Sequence, residues 1–523
     1  MNLPVVRIWT AGQEGRHRMR IETRRRIMAF ALAIALFPWG IANSQTLDGG
    51  RPADGFPVST ECVPSRPCVN ALDAGCDQTS YHHALIDAIF GDKPLLNSLR
   101  SRDVGIADSR ASVGGELRYR YMDERNRLRP QGNLRRNTYD LWRFTPVAEI
   151  GNDRVRAYVQ AIDAVSFGED LPPVPIDENR SDLLQYYLDL GLIDVDGKPV
   201  RVRYGRQFLK YGSQHLVSPL GWANTFRNFE GTRAYWENEA WAIDGFAVQP
   251  VNGAGGAVPH PFSRDIPDQS VWFSGVYAAY KKAPYGNFDL YWMWLNEDEP
   301  KFSRHDGRRH TVGMRYAGKY AFHDCGTPAH TLFWDAEAAL QFGEDSFQSG
   351  GAGQDVFAGF VAAEAGLTLN RIPWQPTVKG LFWYGSGDGN PTDGKINTLT
   401  TLFPFGHYYW GLIDNFNGAN LFDYSVQFSV KPTKKLTLTA AWHWFDKADA
   451  NDFVYNIVGA PLGTLGGDRT IGHELDLVAN YAVSPNLSFQ LGYFWFWYGD
   501  AINNGPLSRS DAEQFYFQTT WGF

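Results

Sequence analysis

From about residue 110 onward the chain repeats one habit: apolar and polar residues alternate for a stretch, a turn follows, and the alternation resumes. A period of two sends successive side chains to opposite faces, which predicts β-strands. ELRYRY (116–121) puts Glu116, Arg118 and Arg120 on one face and Leu117, Tyr119 and Tyr121 on the other. VRAYVQA (155–161) sets Arg156, Tyr158 and Gln160 against Val155, Ala157, Val159 and Ala161. In TVGMRYAGKY (311–320), Thr311, Gly313, Arg315 and Lys319 face away from Val312, Met314, Tyr316 and Tyr320.

The connections alternate as well. Short links fall at 151–153, 196–197, 238–239, 284–287, around Cys325, and at 371–374, 432–433 and 485–486. Long polar loops fall between them, at 122–138, 166–182, 209–230, 251–269, 297–308, 344–354, 386–420, 447–469 and 499–510. One rim of tight turns and one of long loops is the organisation of an all-β, antiparallel, up-and-down transmembrane barrel, here of roughly 18 strands, with short periplasmic turns and long extracellular loops. The last stretch, AEQFYFQTTWGF, carries Phe515, Phe517, Trp521 and the final Phe523 at period two. A terminal aromatic fits an interface girdle, and Phe523 is the expected signal to the barrel assembly machinery. LYWMWL (290–295), WHWF (442–445) and YFWFWYG (493–499) end strands beside long loops and are expected in the same girdle, in contact with outer-membrane lipid.

The N-terminus changes the picture by supplying an address. Arg24, Arg25 and Arg26 precede the apolar run Ile27–Phe37, and Ala42-Asn43-Ser44 fits a cleavage site. Residues 1–44 are therefore expected to be a secretory signal peptide, with Met19 a possible true start and the arginine pair admitting a twin-arginine route. The whole chain carries −8, and the seven arginines against Glu14 and Glu22 in the leader make the remainder more acidic still. Nucleic acid is excluded as a partner on that ground. Residues 45–110 hold Cys62, Cys68 and Cys76 and one weakly helical piece (81–90), and are expected to form a partly disordered periplasmic extension. A local disulfide suits that compartment. No histidine pair completes a zinc site beside these cysteines. The barrel itself is expected over 111–523, in a Gram-negative-type outer membrane.

Candidate chemistry is sparse. His473-Glu474 is half of a zinc-protease motif, but residue 477 is Leu. Ser213 and His215 lie close, without a nucleophile elbow or an evident third partner. Asp388, Asn390 and Asp393 in GSGDGNPTDGK (385–395) offer oxygens for calcium, yet the spacing misses the known loop pattern and a closing Glu is absent. No cofactor and no catalytic residue is expected. The stronger signal is cationic strand positions. Arg118, Arg120, Arg156, Arg201, Arg203, Arg315 and Lys319 share the polar face, which must be the lumen, because a cation on the lipid face costs about 2–4 kcal/mol at the midplane. Acids share that parity (Glu116, Asp289, Asp335, Glu337, Asp423, Glu474, Asp476), mostly on later strands, so a segregated lumen with an arginine side built from early strands is expected.

Several stretches resemble the alginate export family of outer-membrane barrels: ELRYRYMDERN (116–126), PVPIDENRSD (173–182), YGRQFLKYGSQHLVSPLGWANTFRNFEGTR (204–233), GSGDGNPTDGK, LFPFGHYYWGLID (402–414) and GHELDLVANYAVSPNLSFQLGYFWFWYGD (472–500). The resemblance implies an 18-stranded barrel and passive export of an anionic uronate polymer through an arginine-rich constriction, for which Arg118, Arg120, Arg201, Arg203, Arg206 and Arg233 are the candidates by position. The expected substrates are anionic polysaccharides or small anions, passing a path lined by these residues with Arg156, Arg315, Lys319, Glu474 and Asp476. In the long 209–230 loop, His215, Trp222 and Asn224 are expected to turn the chain toward the pore. Gly205 is expected to permit a β-bulge before it. The competing readings are a surface-binding barrel with an occluded pore and an outer-membrane hydrolase.

Overall fold

The computed structural model describes residues 100–103, 109–128, 135–252, 265–298, 307–324, 327–346 and 353–523. The leader, nearly all of the 45–110 extension and all four cysteines lie outside the described residues.

Eighteen antiparallel strands close on themselves. They are β1 (Arg110–Arg125), β2 (Arg136–Gly151), β3 (Val155–Phe167), β4 (Asn179–Val195), β5 (Lys198–Gln207), β6 (Phe229–Glu237), β7 (Trp241–Asn252), β8 (Val271–Ala283) and β9 (Gly286–Glu297). The second half comprises β10 (Gly307–Asp324), β11 (Thr327–Asp345), β12 (Gln354–Leu369), β13 (Thr377–Gly385), β14 (Leu421–Val430), β15 (Leu436–Lys447), β16 (Thr470–Ser484), β17 (Leu487–Tyr498) and β18 (Ala512–Gly522). Each pairs with its sequence neighbour, and β18 returns to β1 with Glu116 opposite Gly522 and Arg125 opposite Glu513. Closure leaves no open edge, so every strand in the wall has both its hydrogen-bonding rows engaged. A four-residue strand, Arg100–Asp103, adds to the start of β1. No helix among the described residues is long and apolar enough to cross a membrane.

The alternation sorts side chains as expected. Glu116, Arg118, Arg120 and Glu124 of β1 are buried in the barrel, whereas Phe144, Val159, Leu290 and Phe357 stand exposed on the outside. Aromatics ring both ends of this outer apolar band. Trp272, Trp292, Trp444 and Trp497 lie toward the long loops, and Trp241, Tyr285, Trp374 and Trp521 toward the short turns. The aromatic clusters at strand ends divide by parity: Trp495 and Trp497 face out with the girdle, while Phe445, Phe494 and Phe496 turn inward and are fully buried.

The bulge expected at Gly205 is not there. Register runs unbroken from Tyr187 through Gly205 to Gly231, and the irregularity lies across the hairpin between Gly191 and Ile193. Gly205 serves a different purpose. Its φ is +133°, and a Cβ there would sit 2.2 Å from the Tyr186 carbonyl oxygen, so the close strand approach admits only glycine.

Candidate functional site

Two of the long loops, 208–228 between β5 and β6 and 386–420 between β13 and β14, turn into the barrel. Almost every residue of 211–225 and 398–420 is buried. They join edge to edge: the Ser218 amide donates to the Phe403 carbonyl (2.9 Å), Phe403 to Leu216 (2.8 Å) and Phe405 to Gln214 (2.9 Å). Around this joint Leu216, Val217, Phe403, Tyr409, Trp410 and Ile413 form one apolar cluster with inward side chains from β1, β7–β9, β11–β13 and β14–β18.

The walls grip the two loops with opposite chemistry. On the early strands, Arg118 donates to the carbonyls of Gly221 (3.1 Å), Trp222 (3.3 Å) and Ala223 (2.6 Å) and to Asn224 Oδ1 (3.2 Å). Arg120 donates to Trp222 O and Gln518 Oε1, both at 2.8 Å, and its guanidinium lies 3.5 Å from the Trp222 ring centroid. Arg143 on β2 donates to Gly221 O and Ala223 O while pairing with Glu116 at 2.6 Å. On the late strands, Glu474 accepts the Ile413 amide at 2.9 Å, and the wall comes so close to Gly411 that a Cβ there would lie 2.4 Å from Glu474 Oε2. Asp476 stands beside it, 3.8 Å from His443 Nε2, and His443 Nδ1 contacts Asp423 at 2.9 Å. Arginines thus hold loop carbonyls on one side, and a carboxylate holds a loop amide on the other.

The three loop residues singled out from the sequence all sit in this joint. Asn224 spans the wall, donating to the carbonyls of Trp142 (3.1 Å), Val165 (3.3 Å) and Asp177 (2.8 Å). Trp222 stacks on His407 at 3.8 Å and 10°. Two groups that close to one ring centroid would overlap if they shared a face, so Arg120 and His407 must lie on opposite faces of Trp222. His407 Nδ1 contacts Asp414 Oδ2 at 2.8 Å, and burial lowers its pKa more than Asp414 raises it. His215 Nδ1 contacts Glu337 Oε2 at 2.7 Å, its ring packed 4.1 Å from Tyr409.

Ser213 takes a different acid from its neighbour. Its hydroxyl donates to Asp335 and accepts from Arg315 Nε at 3.0 Å, whereas His215 uses Glu337, so the serine–histidine relay of a hydrolase is not assembled by this pair. Asp388, Asn390 and Asp393 use their oxygens locally, accepting from Asn390 N, Thr392 Oγ1 and Lys395 N at 3.0 Å each. Burial pushes the Asp388 carboxyl above its ordinary value. His473 is directed outward toward Trp442, away from Glu474.

Elsewhere along the wall the cations face acids. Asp189 on β4 receives Arg201 (3.3 Å) and Arg203 (2.8 Å), Arg206 reaches Asp182 (3.4 Å) and Glu230 (3.2 Å), and Arg233 binds Asp244. Arg315 bridges Asp289 (2.9 Å) and Asp335 (2.7 Å). Arg156 lies 3.5 Å from Glu149, and both remain about one-third exposed. Lys319 is exposed, with no side-chain partner among the described residues. Sequence reasoning missed Arg143, Asp189 and Asp244. DLWRFT sets Asp140 with Trp142 and Phe144 on one face and Leu141 with Arg143 and Thr145 on the other, a mixing of polar and apolar residues that hid the Arg143 parity, and the two acids become visible only when their arginine partners on adjacent strands are known.

A family described as alginate export matches residues 109–515. Among curated proteins, none matches the sequence. Solved structures of similar fold include outer-membrane proteins of Pseudomonas aeruginosa. The outer membrane protein OpdK is 12% identical at a TM-score of 0.54, covering 79% of this chain and 98% of its own. OccK9 (OpdG) is 13% identical at 0.54, covering 79% and 98%. OprD is 13% identical at 0.50, covering 79% and 93%.

Proposed function

The chain belongs to the alginate export family and is an outer-membrane channel, and from that premise we propose that it passes anionic saccharides, polyuronate chains among them, by passive diffusion along an arginine-bearing wall. One observation carries this reading: the cations of the early strands are concentrated on one side of the lumen. Arg120 directs its hydrogen bonds to the neutral acceptors Trp222 O and Gln518 Oε1, which do not offset its charge. Arg201 and Arg203 share the single carboxylate Asp189, so that trio keeps a net positive charge. An inward field of this kind raises the local concentration of anions and lowers that of cations.

Reversal potentials in a planar bilayer under a KCl gradient test it. Anion preference is expected, reduced when Arg201 and Arg203 are both replaced by Ala; cation preference unchanged by that replacement would overturn the reading. A second reading, a surface-binding barrel with an occluded pore, is favoured by the two inward loops and their apolar joint. Ion conductance by the purified barrel separates the two, since an occluded barrel is electrically silent.

A further inference from the structure

Below the inward loops, four adjacent strands carry a row of interleaved phenols and guanidiniums: Tyr158 on β3, Tyr187 on β4, Arg203 on β5, and Tyr235 with Arg233 on β6. Tyr158 and Tyr187 stack at 4.9 Å and 7°. The Arg203 guanidinium lies 3.9 Å from the Tyr187 centroid and 5.4 Å from that of Tyr235, and Arg233 is 4.8 Å from Tyr235. Asp189 locks the row from the wall, accepting from Arg203 at 2.8 Å and from the Tyr235 hydroxyl.

Because neighbours along the circumference stack face to face, the ring planes stand like leaves across the wall and present their tips to the lumen. Tyr235 gives its hydroxyl to Asp189, but Tyr158 and Tyr187 do not. Their hydroxyls have no hydrogen-bond partner among the described residues, and neither oxygen is sealed from solvent. Both residues are only partly buried. Arg156 and Glu149, about one-third exposed, flank them on the short-turn side. A lumen needing only to be wet would be served by flexible polar side chains. Two phenol groups fixed by stacking between strands are instead preorganised donors and acceptors, which lose little entropy on meeting a ligand.

We propose that Tyr158 and Tyr187, with Arg156, form a saccharide subsite at the periplasmic mouth, their hydroxyls hydrogen-bonding sugar hydroxyls while Arg156 takes a carboxylate. This rests on the anionic-saccharide reading above and adds to it a site that does not depend on the arginine side alone. Phenylalanine substitution isolates the role, because Y158F and Y187F keep the stack and delete only the hydroxyls.

The experiment is block of single-channel current by a defined oligouronate added on the periplasmic side, with the neutral oligosaccharide of equal length beside it. The double variant Y158F/Y187F is expected to raise the half-blocking concentration of both sugars about tenfold, equivalent to about 1.4 kcal/mol, with KCl conductance and ion preference unchanged. R156Q is expected to weaken the oligouronate alone. Unchanged block in Y158F/Y187F, in a channel whose wild type is blocked, overturns the subsite while leaving the anionic-saccharide reading intact. Absence of block in the wild type, or cation preference, overturns the underlying reading itself.

Discussion

Arg118 makes four hydrogen bonds to residues 221–224, and Arg120 adds one to Trp222 while its guanidinium covers that ring. Bonds from a charged donor contribute about 1.5–3 kcal/mol each in mutational tests, so either arginine is sufficient to bias the 208–228 loop toward its inward position. Arg118→Ala is expected to weaken docking by about 2 kcal/mol. Trypsin cleavage after Arg227, which is half-buried and donates to Ser218 O and Pro404 O, should then accelerate at least tenfold while the barrel stays intact. The opposite wall has its own sensitive point. Gly411 combines φ +80° with contact against the Glu474 carboxylate, so Gly411→Ala adds both backbone strain and a clash. The expected result is release of the 386–420 loop and larger single-channel conductance, with the barrel's heat-resistant migration on gels retained.

At the scale of elements, the two loops behave as one unit because Trp222 of one stacks on His407 of the other. His407 is faced by Asp414 on its own loop and by Arg120 and Arg127 from the wall and the first long loop, and its pKa is lowered, chiefly by burial. The sign follows. A histidine held neutral in the docked state contributes docking stability that is fully present above its unfolded value, about 6.5, and is lost as pH falls through the lowered docked value. Acidification from pH 7 to 5 is therefore expected to increase conductance, and His407→Phe, which keeps a ring on Trp222, to flatten that dependence. The strands themselves were legible, since period two and the alternation of short and long links are local properties: ELRYRY and TVGMRYAGKY point as their parity says. The loops' destination was less so. Arg118 meets Ala223 across 105 residues, and Phe403 meets Leu216 across 187. No local pattern encodes such a meeting. The stretch 205–231, dense in Arg, His, Trp and Asn between glycines, holds the 208–228 loop and the strand ends that flank it. The bulge assigned to Gly205 shows the converse: a glycine in a strand reports close backbone approach as readily as broken register.

For the whole molecule, everything above depends on closure, and closure ends on one residue. The Phe523 amide and carbonyl exchange bonds with Gly115 at 3.0 and 3.1 Å, completing the β1–β18 seam at the short-turn rim. Its ring stacks on Phe144 at 5.9 Å and tilts against Trp521 at 5.3 Å. Gly115 leaves the space for it, since a Cβ there would lie 2.7 Å from Phe523 Cζ. Removing Phe523 deletes two backbone bonds worth about 0.5–1.5 kcal/mol each, together with an aromatic anchor that favours the interface. That loss is small beside a closed barrel whose remaining seam still pairs Glu116–Arg125 with Glu513–Gly522. The assembled protein lacking Phe523 should accordingly melt within a few degrees of the full chain. What should suffer is the approach to closure, when β18 is the last strand to find β1 and its end is not yet held by neighbours. The expected outcome is a several-fold fall in the heat-modifiable, outer-membrane fraction of the truncated chain, with Phe523→Trp restoring it and Phe523→Ser failing to. Equal fractions for the truncated chain and the full one would show that the seam closes without its terminal aromatic.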